Sequence, residues 1–256
     1  MSTVGRRRLL GLVGVVVVFA AWEAAARLGL INVVLLSSPT QIAQAGVTEV
    51  ESGSLWVPLW TSFLEYLLGV ALGIVVGIPL GLLAGWYRRL GYAVDPWLTV
   101  LNSTPVVALV PLFIIAFGIG LESKVVIIFF FAVFPIAINT FIGVHATASR
   151  YLRVARSFRA TDPMILRTVI IPGTAPFILT GARVGGGHAF VGLIVAEFLA
   201  GSSGIGYLMS VAGDIYNTSL LMFLLAILGC AGVAYSVVLH RLEARVERWR
   251  PEAQRA

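Results

Sequence analysis

The sequence predicts an all-α membrane protein with six transmembrane helices and both termini in the cytoplasm. Composition is the first reason, since 59% of the 256 residues are apolar, 12% are charged and the mean hydropathy is +0.95. A soluble fold cannot bury so much apolar surface. A second reason is a set of six apolar runs, each near the roughly 20 residues that a helix needs to cross a bilayer. The third is the uneven distribution of basic residues between those runs, which sets the orientation.

The six runs differ in how readily they can face lipid. Four contain no charged residue, whereas the first holds Glu23 and the fifth holds Arg183, His188 and Glu197. A charge at the bilayer centre costs about 2 to 3 kcal/mol on insertion scales, so the first and fifth helices should face protein, water or headgroups. The runs are Leu9 to Ala26, Tyr66 to Tyr87, Pro96 to Ile119, Val125 to Val144, Pro176 to Ala200, and Leu220 to Leu239.

Basic residues predict which connections lie in the cytoplasm. Fifteen of the 18 precede the first run or follow the second, fourth or sixth run. Arg183 lies near the start of the fifth run, which leaves Arg27 and Lys124 for the opposite side. Because basic loops stay in the cytoplasm, both termini and the Ala146 to Ala175 connection are expected there. The same clustering explains a pI near 10.0 without nucleic-acid binding.

Two interpretations of the first run remain open. A cleaved signal peptide would fit Arg6 to Arg8 followed by a short apolar stretch and Ala24-Ala25-Ala26, but a retained anchor is preferred. The chain then divides into an anchor helix and external segment over 1–65, a core over 66–240 with a cytoplasmic loop at 146–175, and a basic tail over 241–256.

The second run carries a ladder of glycines at strict four-residue spacing. Such a stripe lets another helix approach closely, and five steps in register make a merely glycine-rich, lipid-facing helix the weaker interpretation. Prolines in the second, third and fourth runs predict kinks there. The glycines are Gly69, Gly73, Gly77, Gly81 and Gly85, and the prolines are Pro79, Pro105, Pro111 and Pro135.

The 146–175 connection predicts two short helices joined by a turn. Tyr151, Ala155 and Phe158 form an apolar stripe that ends at Asp162, with arginines over the other faces. Asp162 is expected to cap a second helix that runs from Met164 to Ile171 and stops at Pro172. Pro176 then marks the turn into the membrane. The segment could lie on the anionic inner leaflet, or form a rigid knob that fits a groove in another protein.

Several short motifs follow one another in a fixed order along the chain. They are Thr104-Pro105, Pro111-Leu112, 117–120, Phe134-Pro135, Asn139-Thr140, 154–160, Ile171-Pro172, 176–183, 195–197 and 201–207. In this order they resemble the permease subunits of ATP-binding-cassette importers, in the branch that takes up nitrate, sulfonates and taurine. The family's cytoplasmic signature of Glu-(Ala or Val)-Ala, three residues and Gly-Ala, followed by Leu-Pro, is similar to 154–160 and Ile171-Pro172. The resemblance covers nearly the whole chain.

This resemblance implies a type I ABC importer permease of MetI-like architecture in the bacterial inner membrane. The partners implied are a second permease, with homodimer or heterodimer left open, an ATPase subunit on each cytoplasmic loop, an external binding protein and lipid. ATP and Mg²⁺ would be bound by the ATPase, since this chain has no phosphate loop around Lys124 and is not expected to be an enzyme. The expected ATPase-docking residues are Arg153, Val154, Ala155, Arg156, Ser157, Phe158, Arg159, Ala160, Asp162 and Pro172.

Three residues depart from the family pattern. Arg153 stands where the family has an acidic residue, Arg159 where it has glycine, and Glu65 where it usually has arginine. Glycine would end the first loop helix in a left-handed conformation, which strains arginine by about 1 to 2 kcal/mol unless the helix ends differently. The reversed charge at Arg153 suggests that this permease recognises its own ATPase and pairs poorly with a typical one.

Polar residues in the spans are candidates for the transport path, although hydrogen bonding between helices is at least as good an explanation. Glu197 is expected near the outer end of its helix, where it could reach water, and His188 could instead bond a backbone carbonyl. The candidates are Asn102, Thr104, Asn139, His188 and Glu197.

An ion-driven secondary transporter is the alternative function. A membrane-embedded hydrolase is remote, because His145, His188 and His240 show no ligand spacing. No metal site is predicted, and the single Cys230 excludes an internal disulfide.

Overall fold

The computed structural model describes residues 3–32 and 34–247, and secondary structure in that part of the chain is entirely helical. Residues 248–256 of the predicted basic tail lie outside it. A 3₁₀ turn at Val106–Leu109 precedes α5, and a π-helical turn at Leu166–Ile170 joins α7 to α8. The α-helices are α1 (Thr3–Arg27), α2 (Pro39–Glu51), α3 (Trp56–Trp86), α4 (Arg88–Ser103), α5 (Val110–Phe117), α6 (Leu121–Ser157), α7 (Asp162–Ile165), α8 (Ile171–Ala200), α9 (Ile205–Asp214) and α10 (Thr218–Glu247).

Four helical stretches are long and apolar enough to cross a membrane, and a bent pair of helices makes a possible fifth. The four correspond to the predicted second, fourth, fifth and sixth runs, the second of which ends one residue earlier than predicted. Helix α1, which contains the run from Leu9 to Ala26, is not among the candidates found in the described residues. The all-helical membrane architecture is therefore confirmed, while six spans and cytoplasmic termini remain predictions. The stretches are Trp56–Trp86, Leu121–Ser149, Asp162–Ala200 and Thr218–Arg245.

The kink predicted in the third run, from Pro96 to Ile119, is confirmed as a sharp break. Helix α4 ends at Ser103, and the next helical segment begins at Val106 after a bend of 87°. Thr104 and Pro105 are both extended at the break. Proline disfavours the helical conformation in the residue before it and has no amide of its own to donate, which favours an end of the helix at Thr104.

The loop helix expected before residue 160 is instead the end of α6. Helix α6 runs without a break from Leu121 to Ser157, through Pro135, over 37 residues. At a rise of about 1.5 Å per residue it is roughly 55 Å long, far more than a bilayer core of about 30 Å. Its C-terminal part therefore projects beyond the apolar span.

The second loop helix also continues into a span, so the predicted stop at Pro172 and the turn at Pro176 are wrong. The chain stays helical from Asp162 to Ala200. Pro172 lies in the first turn of α8, directly after the π-helical turn. In a regular helix its ring would crowd the carbonyl four residues earlier, and a widened turn relieves that clash.

Helix α6 is the centre of the fold, because α3 packs along one side of it and α8 along another. Helices α4 and α5 cover further faces of α6, while α9 and α10 pack on α8. Helix α2 lies against α10, and α1 contacts α2. The largest apolar core joins α3, α6, α8, α9 and α10 around Ile128, Ile136 and Leu224, all fully buried.

Candidate functional site

The structure places all five ladder glycines of α3 against α6. A methyl group added at Gly73 would lie 2.8 Å from the Ala132 side chain, and one at Gly81 would lie 2.5 Å from the Ala137 carbonyl. Real side chains do not approach so closely, so only hydrogen fits at these positions. Gly69, Gly77 and Gly85 meet α6 in the same way.

A second glycine stripe, on α8, was missed by sequence reasoning. Methyl groups added at Gly181, Gly185 and Gly192 would each meet α6 within 3.2 Å. These glycines are spaced at four and seven residues, which is one face of a helix. The spacing is visible in the sequence, but Arg183, His188 and Glu197 in the same run favoured an interpretation through polar contacts. Helix α6 is therefore held closely by glycines on two sides.

The end of α6 shows why the family position at Arg159 favours glycine. Arg159 has φ 52°, in the left-handed region. Its amide donates to the Arg156 carbonyl at 3.0 Å, and the Ala160 amide donates to the Ala155 carbonyl at 3.3 Å. This pair of bonds is the Schellman motif, whose left-handed residue is usually glycine. The strained alternative considered for Arg159 is the one observed.

The cap predicted for the next helix is displaced by one residue. Thr161, not Asp162, is the N-cap, and neither side chain makes a capping hydrogen bond in the structure. Asp162 occupies the first turn, where its charge still favours the exposed amides. Pro163 follows at a position that needs no amide donor.

The 153–172 segment has an apolar base fixed to the transmembrane core. Ile165 and Ile170 are fully buried against Val144 of α6, and Trp86 at the end of α3 packs on the same cluster. Ala155 and Ala160 also face this cluster. A displacement of the segment must therefore move the ends of both α3 and α6.

The opposite face of this segment is exposed to solvent and carries both basic and apolar side chains. Phe158 is 81% exposed, and Val154 and Met164 are exposed as well. Arg153, Arg156, Ser157, Arg159, Asp162 and Pro172 are also exposed. The predicted apolar stripe is thus divided, since Ala155 faces the core and Phe158 faces outward.

The candidate path residues do not meet at one site. Thr104 caps the break after α4 and donates to the Val100 carbonyl at 2.8 Å. Asn139 donates to the Pro135 carbonyl at 2.8 Å, at the contact between α6 and α8. His188 is exposed, and its ring has no hydrogen-bond partner among the described residues, so the carbonyl bond expected for it is not observed. The side chain of Asn102 lies outside the described part of the chain.

Glu197 does not reach water, which corrects the expectation that it would snorkel. It lies near the C-terminal end of α8 and is fully buried. The Ser62 hydroxyl donates to its Oε1 at 2.5 Å, and the Gly206 amide donates to its Oε2 at 2.6 Å. A buried carboxylate persists only where such donors replace water.

Lys124 and Glu65 form a buried ion pair that sequence reasoning missed. Lys124 Nζ lies 2.7 Å from Glu65 Oε1 and also donates to the Ser203 carbonyl at 2.9 Å. Both side chains are 2% exposed. Glu65 was noted only as a departure from the family pattern, because the apolar run was drawn from Tyr66 and placed Glu65 outside the membrane, whereas α3 begins at Trp56. The lysine was counted only as a charge on the outer side.

Glu243 makes a further polar contact between α8 and α10. Its carboxylate accepts from the Thr180 hydroxyl at 2.9 Å and lies 3.4 Å from Arg183 Nε. Arg183 therefore has a protein partner in addition to any headgroup. Among the described residues, no group of three or more His, Cys, Asp or Glu side chains could hold a metal ion.

Comparison with known proteins assigns the chain to a family. Residues 77–250 match the family described as the inner membrane component of binding-protein-dependent transport systems. The match includes most of the core and the whole 153–172 segment, so the chain belongs to this family. It is a multi-pass component of the inner membrane, and the resemblance to ABC importer permeases is confirmed.

Relatives align over almost the whole chain. The chain is 33% identical over 249 residues to the putative aliphatic sulfonates transport permease protein SsuC of Bacillus subtilis, covering 96% of this chain and 90% of the relative. It is 29% identical to the taurine transport system permease protein TauC of Escherichia coli, covering 93% and 88%. The riboflavin transport system permease protein RibX of Chloroflexus aurantiacus is 34% identical, and the alignment covers 89% of this chain and 85% of the relative.

Solved structures show the same fold. An inward-facing structure of the MetNI methionine ABC transporter matches with a TM-score of 0.66 and 21% identity, covering 74% of this chain and 94% of that one. An amino acid ABC transporter with histidines matches with a TM-score of 0.63 and 19% identity, covering 78% and 97%. At this identity the likeness concerns the fold alone.

Proposed function

We propose that this chain forms the transmembrane path of an ABC importer for a small organic or inorganic anion and that ATP hydrolysis on a separate subunit drives it. The observation that carries this proposal is the 153–172 segment, within a chain of this family. Phe158 stands exposed on a segment whose base is buried against α3 and α6. An exposed aromatic on a rigid base is suited to a partner's groove.

ATP would act on the transport path through the buried apolar side of the 153–172 segment. ATP binding closes a pair of ATPase subunits and moves two docked segments together. Because Ile165 and Ile170 pack on Val144 and the end of α3, the movement passes to the ends of two spans. The glycine contacts between α3 and α6 then carry it along the membrane as a rigid unit. Hydrolysis and ATPase opening reset the path.

The path itself requires a second copy of this chain or a closely related one. Large apolar side chains are exposed along α4 and α5, among them Trp97, Leu112 and Ile115. The 87° break gives these helices an irregular face, which a membrane protein tolerates only against protein or water. His188 and the Thr104 break are the polar groups that such a path would use.

The membrane topology in this proposal has six spans, with both termini and the 153–172 segment in the cytoplasm. Basic residues support it through their distribution. Exposed Val16 and Val18 on α1 suit contact with lipid. An external binding protein would then meet the opposite end of the molecule, where α2 and the 201–206 loop lie.

The solute class rests on the relatives. Sulfonates and taurine appear in the names of two, while riboflavin in a third widens the range to larger organic solutes. We favour a sulfonate, nitrate or similar anion, delivered by the binding protein.

Transport into vesicles tests the function as a whole. The purified permease is reconstituted with its ATPase, and the external binding protein is loaded with labelled taurine. We expect uptake only with ATP on the ATPase side and with the binding protein present. Uptake driven by a proton or sodium gradient without ATP would instead establish the secondary transporter.

Site-specific crosslinking tests the docking surface. A photoreactive residue at Phe158 should capture the ATPase subunit, whereas one at the exposed Val233 of α10 should capture lipid or a second permease. Capture of lipid alone from position 158 would mean that the segment lies on the membrane.

The arginines of this surface determine which ATPase fits. Exposed Arg153 and Arg159 would meet carboxylates in the cognate groove. Arg153→Glu with Arg159→Gly should weaken capture of the cognate ATPase and improve capture of a typical one, and Arg245→Glu, an exposed control in α10, should do neither. Unchanged selectivity in the double variant would refute the assignment.

A further inference from the structure

The buried ion pair belongs to a larger cluster with unbalanced charge. Two carboxylates, Glu65 and Glu197, share one buried region with a single ammonium, Lys124, and all three are at most 2% exposed. Ser62, which contacts Glu197, is also buried. Two negative charges and one positive charge leave a net negative charge away from water, which is strongly unfavourable.

Every hydrogen bond recorded in the cluster goes to an atom other than Glu65 Oε2. Lys124 donates to Glu65 Oε1 and to the Ser203 carbonyl. The Ser62 hydroxyl gives its one proton to Glu197 Oε1 and accepts from the Ile205 amide at 2.8 Å. One atom remains, since Glu65 Oε2 is buried without a hydrogen-bond donor.

The neighbour available to that atom is the other carboxyl group. Ser62 donates to Glu197 Oε1 at 2.5 Å and lies one turn before Glu65 on the same face of α3, so the two carboxyl groups are neighbours. Two ionised carboxylates only accept hydrogen bonds, so in this arrangement they repel. One proton between them removes the repulsion, provides the missing donor for Glu65 Oε2 and brings the net charge to zero.

We propose that Glu65 and Glu197 form a proton-binding site in which the two carboxyl groups share one proton. The shared proton joins α3 to α8, while Lys124 joins α3 and α6 to the loop at Ser203. The proposal does not rest on the proposed function, because it follows from the contacts and charges of these side chains alone.

The proton would control how firmly the 201–206 loop is closed on the core. The loop wraps around the Glu197 carboxylate so tightly that a methyl group at Gly204, which has φ +112°, would overlap Oε1. A methyl group at Gly206 would lie 2.8 Å from Oε2. Without the proton, Glu65 repels the carboxylate that this loop encloses.

Among the described residues, the charged side chains that act on Glu197 belong to the cluster itself. They are Glu65 from α3 and Lys124 from α6. The start of α9 contributes the Gly206 amide, and α5 covers the neighbouring Ala196 with apolar side chains. A proton bound in the folded state and absent from the unfolded chain stabilises less as the pH rises.

Infrared spectroscopy of the full-length permease in lipid nanodiscs tests the site. The wild type at neutral pH should show the carbonyl stretch of a protonated carboxyl group. Glu65→Gln should abolish the band, because its amide donates to Glu197 and its carbonyl accepts from Lys124 without a proton. Glu122→Gln is the matched control, an exposed carboxylate two residues before Lys124, and should keep the band.

Three results would overturn the proposal: no such band in the wild type, an unchanged band in Glu65→Gln, or loss of the band in both variants. The wild-type spectrum tests the proposal even if a variant fails to fold. The wild-type band should also disappear when the pH is raised far above neutral. Neither measurement uses ATP, a binding protein or a solute. Failure of this proposal is therefore distinct from failure of the transport function.

Discussion

Replacing Arg159 with glycine should strengthen the end of α6. Arg159 holds φ 52° in a Schellman motif, a conformation that costs a residue with a side chain about 1 to 2 kcal/mol. Glycine avoids that strain, but it gives the unfolded chain more conformational freedom, which lowers the stability of the folded state by about 0.4 to 1 kcal/mol. The difference predicts a stabilisation of about 1 kcal/mol for Arg159→Gly, or roughly a fivefold change in the local opening equilibrium.

Hydrogen exchange at Ala160 measures this effect directly. Its amide donates to the Ala155 carbonyl at 3.3 Å and is exposed to exchange only when the motif opens. We expect about fivefold greater protection at Ala160 in Arg159→Gly. Arg159→Ala removes the same charge but keeps a side chain, so it should show little gain.

Arg156→Gly is the matched control within the helix. Arg156 lies inside α6, where glycine costs about 1 kcal/mol and should reduce protection. Equal protection in the glycine and alanine variants at position 159 would show that charge repulsion, and not backbone strain, governs this end of the helix. The left-handed explanation would then be abandoned.

The remaining predictions concern the transmembrane core, and each is measured by thermal unfolding in detergent. Gly81→Ala should lower the melting temperature because its methyl group would overlap α6, whereas Gly229→Ala, with nothing within 4 Å, should not; equal effects would contradict the close approach. Glu197→Gln should lose about 1 to 3 kcal/mol, and more than Glu65→Gln, because both Glu197 oxygens accept hydrogen bonds. Lys124→Met should lose about 3 to 5 kcal/mol, and a second change, Glu65→Leu, should restore part of it; no recovery would argue against the ion pair.

The class of the protein could be predicted from sequence because lipid imposes simple rules. Apolar runs near 20 residues, basic loops and a glycine ladder each follow from the bilayer or from close packing. The family was also accessible, since motifs such as those around Pro111 and at 201–207 retain their order along the chain. The 153–172 segment was located by its charge and prolines, and its left-handed residue by the family's glycine.

Helix continuity could not be predicted from those same signals. Pro105 breaks the third run, whereas Pro135 and Pro176 lie inside continuous helices. A proline within a helix frees backbone groups, and neighbouring helices decide whether these can be satisfied. Only the packing of α6 between α3 and α8 distinguishes the cases.

The sequence by itself determined that this chain spans a membrane, which helix packs through glycine, and which exposed segment bears the basic and apolar side chains. These properties depend on the order of residues along one helix or one loop. The tertiary structure alone decided that Glu197 is buried and that Lys124 pairs with Glu65. Glu65 and Glu197 lie 59 and 73 positions from Lys124 in the sequence. A local sequence pattern therefore cannot predict which distant carboxylates replace water around this buried ammonium.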